Sequence, residues 1–280
     1  MPGKIPLVVL RFRSLDANKI AGGSVNRKSR HPNLDDGNLL ALYGYKKWFK
    51  GSVDVSDRLW MMSLLSAKMN IKNVDETVLE ISTSSNIQEN FQNTYRYIRD
   101  YWHSNYPVNV LFLGGDVIAR KEFEFPDTGY FQMFNYAHVF KEHTSRAGDR
   151  KNVKHGSPIF NTYCNADVRF YSHRMSPEVW DVGNSWLESW QNYWEYEQDL
   201  YNAMMRSQKL SIQQMIIPSL AYQLPADEFQ DTSKLKTWNG IDLNEANLIH
   251  LHSTRGSDKA LKIAQDILPP PLSPNLYRAE

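Results

Sequence analysis

Apolar and polar positions along the chain alternate between short β-branched runs and stretches of helical spacing. Residues 5–12 (IPLVVLRF) predict a buried strand that ends in charge. Residues 14–37 are polar and read as a long loop, and 38–50 regain helical spacing through Leu39, Leu40, Tyr43 and Trp48. Ser56 and Asp57 are placed to cap the next helix, whose apolar face is Leu59, Trp60, Leu64, Leu65 and Met69. A strand is expected over 78–81. A helix is expected over 86–103, with Phe91, Tyr95, Ile98 and Trp102 three and four residues apart. Residues 107–113 (PVNVLFL) predict the clearest strand, with Gly114-Gly115-Asp116 at its carboxyl end. Further strands are expected over 130–138, 168–172, 215–217 and 247–251, and helices over 176–190, 194–207 and 257–267. Pro269-Pro270-Pro271 then stops the last helix.

Buried strands alternating with helices predict an α/β fold with a largely parallel sheet. No internal repeat or interior linker divides the chain. The expectation is one domain over residues 1–268 and an irregular tail over 269–280. Ligands in such folds bind beyond the carboxyl ends of strands, which is where Asp116 falls.

Composition narrows the class. Of 280 residues, 12% are Phe, Trp or Tyr, too many for a disordered chain. No apolar run approaches the roughly 18 to 20 residues of a membrane helix, and Arg11 and Arg13 interrupt the first one. The single cysteine, Cys164, excludes an internal disulfide and a cysteine-based zinc site, so a cytoplasmic protein is expected. The net charge of +1 hides an asymmetry: residues 1–50 carry ten Lys and Arg against three Asp, a net of +7, which leaves −6 for the rest. Residues 141–155 form a second basic segment, with five Lys or Arg against Glu142 and Asp149. Two such segments fit a phosphate-rich partner, nucleotide or nucleic acid, although each alone is commonly a solvated face.

No nucleotide-binding P-loop, Gly-x-Gly-x-x-Gly, Gly-x-Ser-x-Gly or His-Glu-x-x-His is present. Four softer signals remain. Asp116 just past a buried strand suits a hard divalent cation, and as readily caps a turn. Asn165 and Asp167 precede the strand expected over 168–172. On the helix over 194–207, Glu195, Gln198, Asp199 and Asn202 share a face, which lines a cleft or is simply solvated. Finally, alternation puts His250 and His252 on one face of a strand, with Arg255 and Lys259 beyond it. The tryptophans Trp180, Trp186, Trp190 and Trp194 lie at near-helical spacings that favour core packing over sugar stacking.

In this order the four signals resemble the nucleotide-sugar glycosyltransferases of the GT-A fold, in particular the retaining, glycogenin-like and galactosyltransferase-like group. That family carries Asp-x-Asp after a strand, then Asn-Ala-Gly-Val, Asp-Gln-Asp and His-x-x-Gly-x-x-Lys. Here the corresponding segments are Gly114-Gly115-Asp116, Asn165-Ala166-Asp167-Val168, Glu197-Gln198-Asp199 and the run from His252 through Gly256 to Lys259. The chain is also similar to phage-encoded glycosyltransferases that share Leu-Gly-Gly-Asp and Met-Phe-Asn-Tyr, here Met133 to Tyr136. The resemblance spans residues 105–260.

It implies a GT-A type, Rossmann-like mixed sheet flanked by helices. It also implies a metal-dependent, configuration-retaining transfer of a pentose such as arabinose, or a hexose, from a UDP-linked donor. Mn²⁺ or Mg²⁺ would rest on Asp116 and His252. Arg11, Arg13, Asp116, Asn165, Asp167, Arg255 and Lys259 would bind the donor, and Gln198, Glu197 and Asp199 would serve catalysis. The phage likeness and the basic segments make hydroxymethylated double-stranded DNA the expected acceptor, held through Arg27, Lys28, Arg30, Lys46, Lys47, Arg150 and Lys151 in a host cytoplasm. A glycan, protein or small-molecule acceptor is the alternative. Two departures bear on activity. Gly114 stands where the first Asp of Asp-x-Asp belongs, which admits a metal-independent enzyme or a non-catalytic binding module. The histidine motif has one extra residue before its glycine.

Overall fold

The computed structural model describes residues 5–9, 55–78, 87–135, 164–188, 196–210, 216–217, 221–225 and 246–252. The elements in chain order are β1 (Ile5–Val9), α1 (Val55–Asn70), β2 (Val74–Val78), α2 (Ile87–Ser104), β3 (Val110–Leu113), β4 (Val117–Ala119), β5 (Phe131–Asn135) and β6 (Cys164–Tyr171). They continue with α3 (Glu178–Glu188), α4 (Tyr196–Ser207), β7 (Ile216–Ile217), β8 (Ala221–Pro225) and β9 (Leu248–His252). The loop over 14–37, the helices over 38–50 and 257–267 and the tail lie outside the described residues. No described helix is long and apolar enough to cross a membrane.

Six strands form a sheet in the order β2-β1-β3-β6-β5-β7, and three form a second in the order β4-β9-β8. The larger sheet is mixed: β1 runs parallel to β2 and β3, whereas β6 is antiparallel to both β3 and β5. This corrects the expectation of a largely parallel sheet drawn from helix–strand alternation. The strand expected over 78–81 lies earlier, at Val74–Val78, where VDETV carries too much charge to stand out. Strand β6 begins at Cys164, so Asn165 and Asp167 lie within it and do not precede it. Helix α1 already includes Ser56 and Asp57 in its first turn, and Met69 is exposed while Leu59, Leu64 and Leu65 are buried.

Alternation along β3 builds the core in two halves. Val110 and Phe112 meet Tyr95, Ile98 and Trp102 of α2, Val179 and Trp180 of α3, and Tyr201, Met204 and Met205 of α4. Helix α2 can approach α3 closely because residue 183 is glycine. A Cβ there would overlap the Tyr95 hydroxyl and lie 2.6 and 2.7 Å from two of its ring carbons. The Tyr95 hydroxyl donates to the Trp180 carbonyl at 2.9 Å, and the ring packs edge-on against Trp180. Trp180 is therefore a core residue, as its spacing predicts. Helix α1 packs against β1, β2 and β4.

Candidate metal centre at the junction of the two sheets

After Leu113 the chain leaves the large sheet, turns through Gly114-Gly115-Asp116 and enters the small one as β4. Three features hold this turn. The Gly114 N–H donates to the Asp167 carbonyl at 2.7 Å, prolonging the β3–β6 ladder by one rung. The Leu251 N–H donates to the Asp116 carbonyl at 2.9 Å, so β9 closes on the same residue. Helix α1 supplies a row of buried polar side chains one and two turns apart. Ser63 Oγ donates to the Gly114 carbonyl at 3.2 Å. Ser66 Oγ accepts the Ala119 N–H at 3.0 Å, and Asn70 Nδ2 donates to the Ala119 carbonyl at 2.8 Å. Polar residues on an otherwise apolar helix face were the available sequence signal for this clamp.

Three side chains from three strands or strand ends converge there. His250 Nε2 lies 3.5 Å from Asp116 Oδ1 and 3.3 Å from Asp167 Oδ2. One ligand atom from each of the three lies within 4.8 Å of the others. Asp116 and His250 are each 1% exposed, and Asp167 is half-buried. Two carboxylates gathered in low-dielectric surroundings repel each other unless positive charge sits between them. Two carboxylates and one imidazole suit Mn²⁺ or Mg²⁺. The cradle is also kept open sterically, because a Cβ at Gly114 would lie 2.7 Å from Asp167 Oδ1 and 3.0 Å from Asp116 Oδ1. The donor set and the space left by Gly114 both fit a divalent cation.

Behind Asp167, Arg169 is wholly buried and lies across the ladder from Phe112. Its guanidinium carbon is 3.7 Å from the Phe112 ring centroid and 3.8 Å from that of Tyr201. Its Nη1 is 3.2 Å from Glu197 Oε1. Burial alone would lower the arginine pKa, but Tyr171, Tyr201, Glu197 and Asp167 outweigh it and hold the value above normal. Burial pushes the Tyr171 hydroxyl up to about 12, with Arg169 pulling against it, and raises Tyr201 well above the ordinary range.

The first turn of α4 is tied to the same strand. The β5–β6 register shifts between Met133 and Phe134, and α4 side chains bond the β6 backbone beside this bulge. Gln198 Oε1 accepts the Ala166 N–H at 3.2 Å. Asn202 both accepts from and donates to Cys164, at 2.8 Å each way. The polar row on this helix is not a solvated face, since Asp199 and Asn202 are fully buried.

Of the residues singled out from sequence, the structure brings Asp116 and Asp167 together and places Glu197, Gln198 and Asp199 on the helix anchored to the Asp167 strand. Asn165 lies in β6 and His252 ends β9, opposite Pro225, but their side chains are not among those described. Arg11, Arg13, Arg255 and Lys259 lie outside the described residues, as do Arg27, Lys28, Arg30, Lys46, Lys47, Arg150 and Lys151. The expected metal histidine was His252, whose side chain is not among those described; among the described side chains His250 is the imidazole beside Asp116. Their equal strand parity left the choice open, and His250 Nε2 is the ring atom found 3.5 Å from Asp116 Oδ1. Sequence reasoning missed Arg169, because a charged residue in a strand reads as solvent-facing.

No family model and no curated protein matches the sequence. Among solved structures, the chain is similar to the bifunctional glycosyltransferase WbbM in its apo form, at TM-score 0.46 and 14% identity over 99% of this chain. The match covers 52% of that protein, so the chain spans about half its length. It is also similar to the galactosyltransferase LgtC in complex with donor and acceptor sugar analogues, at TM-score 0.41 and 12% identity over 95% of this chain and 98% of that one. An active-site mutant of LgtC matches at TM-score 0.40 and 12% identity, over 94% and 95% of the two chains.

Proposed function

We propose that this chain is a GT-A type glycosyltransferase that moves a sugar from a nucleoside diphosphate, UDP in the first instance, to a hydroxyl acceptor. The observation that carries the reading is the convergence of Asp116, Asp167 and His250 beyond the carboxyl end of β3, with the Glu197-Gln198-Asp199 turn tied to the Asp167 strand. Sugar transfer from a diphosphate develops negative charge on the leaving group. A divalent cation held by these three residues would supply the opposing charge. Asp116 and Asp167 provide hard oxygen ligands, and His250 orients against both. Arg169 is a positioning residue that keeps the Glu197 carboxylate facing the strand. Glu197 and Gln198 bind the sugar and shape its reacting face, while the fully buried Asp199 holds their turn, with retention of configuration as the motif resemblance implies. Asn165, Arg11, Arg13, Arg255 and Lys259 are assigned to the donor, and His252 to the metal.

The acceptor we favour is a hydroxymethylated base in double-stranded DNA. The support is the basic charge of residues 1–50 and 141–155, including Arg27, Lys28, Arg30, Lys46, Lys47, Arg150 and Lys151. Cationic side chains would hold phosphates, and a base would have to leave the stack to reach the sugar.

The test begins with thermal unfolding in the presence of nucleoside diphosphates, with and without Mn²⁺, for wild type and Asp116→Ala. A ligand at a hundred times its dissociation constant adds about 2.7 kcal/mol and raises the midpoint visibly. A metal-dependent shift with one diphosphate, abolished in Asp116→Ala, supports the donor site. Label transferred from the matching nucleotide sugar to hydroxymethylated DNA, but not to unmodified DNA, supports the acceptor. No shift with any diphosphate sinks the reading.

A further inference from the structure

We infer that Gly114 and Asp167 are one sterically coupled pair. In it β6 supplies the carboxylate that β3 would otherwise carry, so the metal centre keeps two carboxylates although residue 114 has no side chain. This rests on the metal-centre part of the proposed function and deepens it. The argument starts from the ladder. Leu113 pairs with Val168, and the next rung joins the Gly114 N–H to the Asp167 carbonyl at 2.7 Å. Side chains at the two positions would therefore leave the backbone side by side. A Cβ at 114 would stand 3.0 Å from the Asp167 Cβ and 2.7 Å from its Oδ1. Opposed residues in antiparallel sheets normally keep their Cβ atoms about 4.5 to 5.5 Å apart, so these two positions cannot both carry side chains without distortion. Asp167 cannot yield by swinging aside and still serve the site, because its Oδ2 is held 3.3 Å from His250 Nε2. The space admits one carboxylate, and this chain delivers it from strand β6.

The exchange accounts for the Gly114 departure and for the aspartate at 167 together. The motif resemblance calls for Asp at 114 and Gly at 167, and this chain has Gly114 and Asp167. Gly114 is then the partner that makes room for the relocated ligand, and its presence does not mark a metal-independent or inactive protein.

The test is Mn²⁺ binding to the full chain, read by electron paramagnetic resonance of the free ion, with and without UDP. Four variants are compared with wild type: Asp167→Asn, Asp167→Gly, Gly114→Asp and the double variant Gly114→Asp/Asp167→Gly. Loss of a mere outer-shell partner weakens metal sites about 10- to 100-fold, so each single variant should lose at least about tenfold in affinity. The double variant should regain most of that loss, a non-additivity expected only of residues in contact. Wild-type affinity in Asp167→Asn overturns the inference. So does a double variant that binds no better than Asp167→Gly, or a wild type that binds no Mn²⁺ under either condition. If the variants with Asp at 114 fail to fold by circular dichroism, the isosteric Asp167→Asn decides alone. Sugar-transfer assays separate the two proposals. Mn²⁺ binding with the predicted swap but no transfer from any nucleotide sugar leaves the inference standing and removes the transferase reading. Transfer with no swap removes only the inference.

Discussion

Replacing Arg169 by methionine tests whether the buried guanidinium organises the ground behind the candidate metal centre. The side chain has no exposure, its guanidinium lies 3.7 and 3.8 Å from two aromatic centroids, and its partner Glu197 is 15% exposed at 3.2 Å. Methionine fills much of the same volume, so the cavity term is small and the electrostatic term dominates. Removing one partner of a buried pair costs about 3 to 5 kcal/mol because the other charge is left uncompensated. Glu197 retains some contact with water, which moves the expectation toward about 3 kcal/mol. The lost stacking on Phe112 and Tyr201 adds to it, since a desolvated cation–π contact contributes about 2 kcal/mol. Arg169→Met should therefore lower stability by about 3 to 5 kcal/mol, a large share of the roughly 5 to 15 kcal/mol of a typical domain. Urea denaturation at unchanged m-value measures it. The double variant Arg169→Met/Glu197→Gln should recover part of the loss, because the carboxylate that faced Arg169 is gone. A single variant within about 1 kcal/mol of wild type, or a double variant worse than the sum of the singles, would refute the reasoning.

Three further outcomes are expected. Gly183→Ala gains about 1 kcal/mol of helix propensity but drives a methyl into Tyr95, an overpacking that costs about 1 to 3 kcal/mol besides loosening the Tyr95 hydrogen bonds, so a net loss of urea midpoint is predicted. Ser66→Ala leaves the buried Ala119 N–H without its acceptor and should cost about 1 to 3 kcal/mol in the same assay, with Mn²⁺ affinity falling as the Asp116 turn loosens. Asp127 is raised by partial burial, but the Ser172 hydroxyl, the Gly129 N–H and Arg174 outweigh this and lower its pKa below the usual value. A depressed carboxylate stabilises the fold above its unfolded pKa of about 3.9 and loses that stabilisation as pH falls through the lower folded value. Asp127→Asn should accordingly be less stable than wild type near neutrality and converge with it as pH falls through the lowered folded value, as followed by thermal unfolding across pH.

Local pattern alone was enough for much of the frame. The run of β-branched residues at 5–9, the fully apolar VLFL of β3 and the three-and-four spacing of α2 each declare their own burial. Periodicity is a property of the segment, and a hydrophobic face must meet something whatever its partner. The position of Asp116 was legible for the same reason, since it follows directly from where a buried strand stops. Strand β2 was misplaced because VDETV lies in a position that tolerates charge, and β8 was not seen at all.

The candidate metal centre was decided by tertiary structure. That His250 lies beside Asp116 and Asp167 depends on how the small sheet meets the large one at the turn after β3, and strand parity did not separate it from His252. That Asp167 is a ligand candidate depends on the extra rung between Gly114 and Asp167, which joins residues far apart in the chain. That Arg169 is wholly buried depends on Phe112 and Tyr201 closing over it from a neighbouring strand and a later helix. Register and bulges are set by long-range packing of one face against another, and a shift of one residue would exchange every contact named here. The sequence by itself therefore determined which segments hold the candidate residues, and only the assembled sheets determined which atoms face each other.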